Sequence, residues 1–91
     1  MENNEFVDVW DALESDPVKR ENLKLRSQLM SEINLKLDEE RTTQATAAVL
    51  LKTTQPRISA LRKGKINNFR LDMLVDFAVR LGLRISLDVA A

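Results

Sequence analysis

Prolines and glycines are the residues that a helical chain tolerates least, and this chain of 91 residues contains two of each, all at places where a helix can start or stop. Asp16-Pro17 joins a favoured N-cap to the residue best suited to a first helical position, because proline lacks the N–H that would go unused there. Thr54 stands before Gln55-Pro56 in a similar way, with proline in a first turn. Gly64 and Gly82 each follow apolar residues at helical spacing, where a left-handed C-cap is needed. The chain is therefore expected to be one small, mainly α-helical domain.

Between these marks the apolar periodicity defines the elements. From Pro17 to about Glu40, Leu25, Leu29, Ile33 and Leu37 recur every fourth residue with Met30 beside them, which predicts a long amphipathic helix. Its last turn holds Asp38, Glu39 and Glu40, the wrong sign for the C-terminal end of a helix dipole, so fraying is expected there. Thr43 can cap a short helix over 44–51 that is apolar nearly all round, at Ala45, Ala48, Val49, Leu50 and Leu51, and so is expected to be almost surrounded by protein. Thr54 can cap another over 55–63 that turns Ile58 and Leu61 inward and Pro56, Ser59, Ala60 and Lys63 outward. Leu71, Leu74, Val75, Ala78 and Leu81 give a last helix, and Met73 with Phe77 widen its apolar arc enough to suggest a second contact surface. In the tail, Leu83, Ile85, Leu87 and Val89 alternate with polar residues, the period of a half-buried strand. Such a strand needs a partner: its own copy in a second subunit, which is favoured, the segment Phe6 to Trp10, or a partner protein's sheet.

Charge adds a functional constraint. Lysine plus arginine and aspartate plus glutamate each number fourteen, yet residues 41–70 hold seven bases (Arg41, Lys52, Arg57, Arg62, Lys63, Lys65, Arg70) and no acid. The first sixteen residues hold six acids and no base. The first pattern fits a face that binds a polyanion. The second is unlike a presequence, so a cytoplasmic location is expected. No apolar run approaches the ~18 residues of a membrane span. There is no histidine, no cysteine and no glycine-rich phosphate loop, and serine or threonine has no base to activate it. No catalytic residue, metal or cofactor is expected, and the chain is not read as an enzyme.

Two short helices joined by a tight turn, over about 44–63, form a helix-turn-helix unit. With Gln44 heading the first helix, Ala48 at the helix crossing, and Thr53-Thr54-Gln55 opening the second, the chain resembles the phage-repressor-like (Cro/CI, XRE) family. It departs from that pattern at Lys52, where glycine is usual, and at Thr53, where an apolar residue is usual. A lysine held at positive φ costs on the order of 1 kcal/mol or more. Val9-Trp10-Asp11-Ala12-Leu13, Thr54-Gln55-Pro56-Arg57-Ile58-Ser59 and Arg62-Lys63-Gly64-Lys65-Ile66 further resemble small HigA-type antitoxins, which often stand beside a RelE/HigB-like toxin.

This resemblance implies a five-helix lambda-repressor-like domain over 16–82; the acidic, aromatic-containing arm (1–15) precedes it, and the C-terminal β-strand (83–91) read from the alternation follows, with pairing across a homodimer favoured. The resemblance implies a sequence-specific repressor of double-stranded operator DNA that is the antitoxin of a HigB/RelE-like toxin-antitoxin pair, neutralising the toxin and autoregulating its own operon. The DNA-binding set would comprise Gln44 on a phosphate, Thr54 and Gln55 at the start of the second helix, and Pro56, Arg57, Ser59 and Ala60 along it. Arg62, Lys63, Lys65 and Asn67 would follow as backbone contacts. Gln55 is expected to read adenine, because an amide side chain matches its N6/N7 edge. Pro56 and Ala60 suit a thymine methyl, and Arg57 a guanine or a phosphate. Met73, Phe77, Leu83, Ile85, Leu87 and Val89 would form the dimer interface, and Phe6 and Trp10 would either contact a basic toxin or cap the core of the first helix. A stand-alone regulator and, less favoured, a protein-interaction adaptor are the competing readings.

Overall fold

The structure, a computed structural model, describes residues 15–91. Four α-helices follow one another among them: α1 (Pro17–Glu39), α2 (Gln44–Leu50), α3 (Gln55–Arg62) and α4 (Leu71–Arg80). Each of the first three begins where a capping oxygen lies. Asp16 Oδ1 accepts the Val18 N–H at 2.9 Å, Thr43 Oγ1 that of Thr46 at 3.1 Å, and Thr54 Oγ1 that of Arg57 at 3.3 Å.

All four helices end in the same way. The residue after the C-cap enters the left-handed region, at Arg41 (φ 51°), Lys52 (φ 55°), Gly64 (φ 75°) and Gly82 (φ 85°). Two reverse hydrogen bonds then close each terminus, as in Lys52 N–H to Val49 C=O at 3.2 Å and Thr53 N–H to Ala48 C=O at 2.9 Å. Lys52 therefore takes the left-handed conformation that glycine adopts more readily, and the turn closes around it. The acidic last turn of α1 does not fray, because the Arg41 and Thr42 N–H groups bond back to Asp38 and Leu37. Lys36 Nζ also meets Glu40 Oε2 at 3.0 Å, and Asp38 pairs with Arg62.

Two parts of the expected architecture are overturned. Among the described residues there is no β-strand, and there are four α-helices with one 3-10 turn in place of the five helices expected. A strand exists only as part of a ladder, and no described segment pairs with residues 83–91 to form one. The Leu83 N–H closes α4 on Ala78 C=O at 3.0 Å, and beyond it Ile85, Leu87 and Val89 are exposed. Where a further helix could form, residues Ile66–Asn68 make only a single 3-10 turn. Lys65 before it offers no capping bond, and two consecutive asparagines favour turns over helix.

The core gathers one side of every element. Met30, Ile33 and Leu37 come from α1, Ala47 and Ala48 with Leu51 from α2, and Ile58 and Leu61 from α3. Ile66 and Phe69 follow from the turn, and Leu74, Phe77, Ala78 and Leu81 from α4. Helix α1 packs along α4 and reaches the 3-10 turn and α3, while α2 packs on α3. Only the C-terminal half of the predicted α1 stripe is deeply buried, since Leu29 is half-buried and Leu25 exposed. Helix α2 is not enclosed: Ala45 and Leu50 are exposed and Val49 is 77 % exposed.

Phe77 also lies elsewhere than its position on the widened arc suggests. It is 3 % exposed and meets Phe69 edge to face, with ring centroids 6.3 Å apart. Val75 and Val79, not Phe77, are the exposed large apolar residues of α4.

Candidate nucleic-acid interface

Helix α3 offers its outer face to solvent because only Ile58 and Leu61, three residues apart, are buried completely. Gln55 and Pro56 at its first turn and Lys63 at its C-cap are exposed, and Ser59 and Ala60 between them are half-buried. No acid lies on this helix or in the first turn of α2. Gln44, at the start of α2, is exposed, as are Lys65 and Asn67 beyond α3. Among the described residues, the side chains of Lys52, Lys63 and Lys65 form no ion pair. Thr54 uses its hydroxyl oxygen as the α3 cap.

Two arginines expected at DNA are directed into the protein. Arg62 Nη1 donates to the Asn34 backbone oxygen and to Asn34 Oδ1, both at 2.9 Å, and Nη2 pairs with Asp38. Asn34 Nδ2 donates in return to the Leu61 carbonyl at 3.0 Å. Arg57 Nη1 donates to the Asn68 carbonyl at 3.2 Å and approaches Met73 Sδ at 3.5 Å. Its guanidinium also lies 5.8 Å from the Phe69 ring centroid, within cation–π range.

Sequence reasoning missed the α1 residues behind these contacts. Asn34 and Asp38 are four apart and so share one helical face. Asn22 and Arg26 share another, where Arg26 Nε donates to Asn22 Oδ1 at 2.7 Å. Arg26 Nη1 reaches the carbonyls of Ile66 at 3.1 Å and Phe69 at 3.2 Å, which pins the 3-10 turn to α1. The i,i+4 polar spacing was the available signal, but it names no partner.

Met73 and Leu83 are half-buried against the core, and Ile85, Leu87 and Val89 are exposed beyond it. Phe6 and Trp10 lie outside the described residues. Among the described residues, no group of three potential metal-ligating side chains occurs, and no helix is long and apolar enough to cross a membrane.

An exposed, acid-free second helix crossing a short capped helix defines a helix-turn-helix domain. Residues 14–90 match the family model described as a helix-turn-helix domain, and the chain belongs to that family. A solved structure described as a candidate XRE-family transcriptional regulator is similar, with a TM-score of 0.74 and 27 % sequence identity. The match covers 80 % of this chain and 82 % of that one, so the helix-turn-helix unit is XRE-like, as in Cro and CI. No curated protein matches the chain.

Proposed function

We propose that this protein is a sequence-specific double-stranded DNA-binding transcriptional regulator, in which α3 enters the major groove and its occupancy represses the promoter. The observation that carries the reading is the outer face of α3, where Gln55, Pro56 and Ser59 are flanked by Lys63 and Lys65 with no acid among them, while half-buried Ala60 packs against the core beside them. Base edges in the major groove are read by side chains on the N-terminal part of such a helix. Gln55 stands there and can bond bidentately to adenine. Lys63, Lys65, Asn67 and Gln44 take the sugar–phosphate backbone, which sets register and adds affinity without sequence information.

The protein acts in this reading as a homodimer on a palindromic operator with half-sites about 34 Å apart. Exposed Val75 and Val79 on α4 and Ile85, Leu87 and Val89 in the tail that follows it supply apolar area for that contact, together with half-buried Met73 and Leu83. Its setting is the cytoplasm. The similar solved structure, described as an XRE-family transcriptional regulator, supports the regulator reading. The HigA-type resemblance adds a basic RelE/HigB-like toxin as a second partner, and co-purification with the neighbouring gene product tests it.

The direct experiment titrates the full-length protein against the DNA upstream of its own gene and a scrambled duplex of equal length at two salt concentrations. The expected result is a preference of ~10³ or more for the upstream duplex. Equal affinity for both refutes sequence-specific autoregulation.

A further inference from the structure

Two deeply buried side chains do not by themselves fix an eight-residue helix. Ile58 and Leu61 seat α3 along one line, and half-buried Ala60 adds only a small contact beside it, so the buried face alone restrains rotation about that line weakly. At 3.6 residues per turn, Arg57 and Arg62 lie about 70° to either side of that line. Each guanidinium reaches back past the buried face to a different support. Arg62 is held by three oxygens of α1, from the Asn34 backbone, the Asn34 amide and Asp38, while Asn34 Nδ2 bonds the Leu61 carbonyl of α3. Arg57 is held by the Asn68 carbonyl and the Phe69 ring, on a turn that α1 itself grips through Arg26. Both supports therefore involve α1, and that of Arg57 also touches Met73 of α4.

We infer that Arg57 and Arg62 are positioning residues that set the angle at which α3 presents Gln55, Ser59 and Lys63, which makes Asn34 and Asp38 of α1 determinants of DNA specificity. The inference rests on the DNA-binding reading given above. A base-edge hydrogen bond depends on placement to a few tenths of an ångström, whereas attraction between lysines and phosphates is long-ranged and tolerant. Loosening a strap thus removes sequence preference before it removes affinity for DNA in general. Lysine cannot replace arginine here: an ammonium is a point charge and lacks the planar fork that engages several oxygens together.

The test uses the full-length chain and the operator that it enriches from a random duplex pool, with a scrambled duplex for comparison. Arg62→Lys and Arg57→Lys keep the charge and the α3 core, and far-UV circular dichroism establishes that each is folded at the assay temperature. The expected result for each is about a tenfold loss on the operator, a change within about twofold on the scrambled duplex, and an unaltered salt slope. Lys63→Ala, by contrast, weakens both duplexes alike and lowers the slope by about 0.9 per subunit. Asp38→Asn, which leaves α3 untouched, lowers the operator-to-scrambled ratio. If Arg62 instead touches phosphate, Arg62→Lys binds like the parent and Asp38→Asn tightens both duplexes with the ratio unchanged, which overturns the inference. If the parent enriches no sequence from the pool, the DNA-binding reading falls and the inference falls with it.

Discussion

The lysine at the helix-turn-helix corner makes a stability prediction of definite sign. Lys52 holds φ 55° at the residue that ends α2, while its side chain is exposed and, among the described residues, without an ion pair or hydrogen bond. Replacing it by glycine removes no contact and relieves the clash between its Cβ and the backbone, worth about 1–2 kcal/mol for a residue in this region. Glycine's greater freedom in the unfolded chain returns roughly 0.5–1 kcal/mol of that. The net expectation is that Lys52→Gly stabilises the fold by about 0.5–1 kcal/mol, a rise of about 2–8 °C in Tm for a domain of this size. Urea denaturation followed by circular dichroism measures it as a higher midpoint at constant slope. Lys52→Ala is the decisive control, because it removes the same charge and stem but keeps the Cβ. A Lys52→Gly variant no more stable than Lys52→Ala would refute the strain argument. Arg41, at φ 51° after α1, predicts a second gain of similar size, and the two gains should add because the turns close different helices.

Gly64→Ala is expected to lower stability by about 1 kcal/mol, since φ is 75° there although nothing lies within 4 Å of an added Cβ. A thermal melt checks this, and an unchanged Tm would contradict it. Phe77→Ala should cost about 3–5 kcal/mol because it empties a core site against Phe69. Val79→Lys, on a residue 59 % exposed, should leave monomer stability within about 0.5 kcal/mol but weaken self-association in sedimentation equilibrium. Gln55→Ala should cost ~1–3 kcal/mol per half-site on the operator and little on a scrambled duplex. Equal losses on the two duplexes would remove Gln55 from base reading.

Helix starts and stops were available from the sequence because they depend on neighbours within four residues. Asp16-Pro17, Thr43, Thr54, Gly64 and Gly82 act locally, and each lies at the helix end that its chemistry predicts. Ile58 and Leu61 were identifiable as the inward anchors of α3, for helical spacing alone separates them from Pro56, Ser59 and Lys63. The basic segment and the resemblance at Gln44 and Thr53-Thr54-Gln55 then pointed to the family.

What the tertiary structure decided is the destination of groups whose partners are distant in sequence. Arg57 and Arg62 count toward the same positive charge as Lys63 and Lys65, but a long flexible stem lets the head group choose between solvent and a carbonyl of another helix. That choice is made by Asn34, 28 residues before Arg62, and Asn68, eleven after Arg57. Helical periodicity likewise counts Phe77 and Val79 as apolar without showing that Phe69 covers one and leaves the other open. In the tail, period-two alternation expresses a preference for strand, yet a strand requires a neighbour's backbone, and no described segment of this chain provides it. Caps and anchor spacing could be read from the sequence because they are local, whereas partner choice, burial and sheet pairing depend on which distant segments the fold brings together.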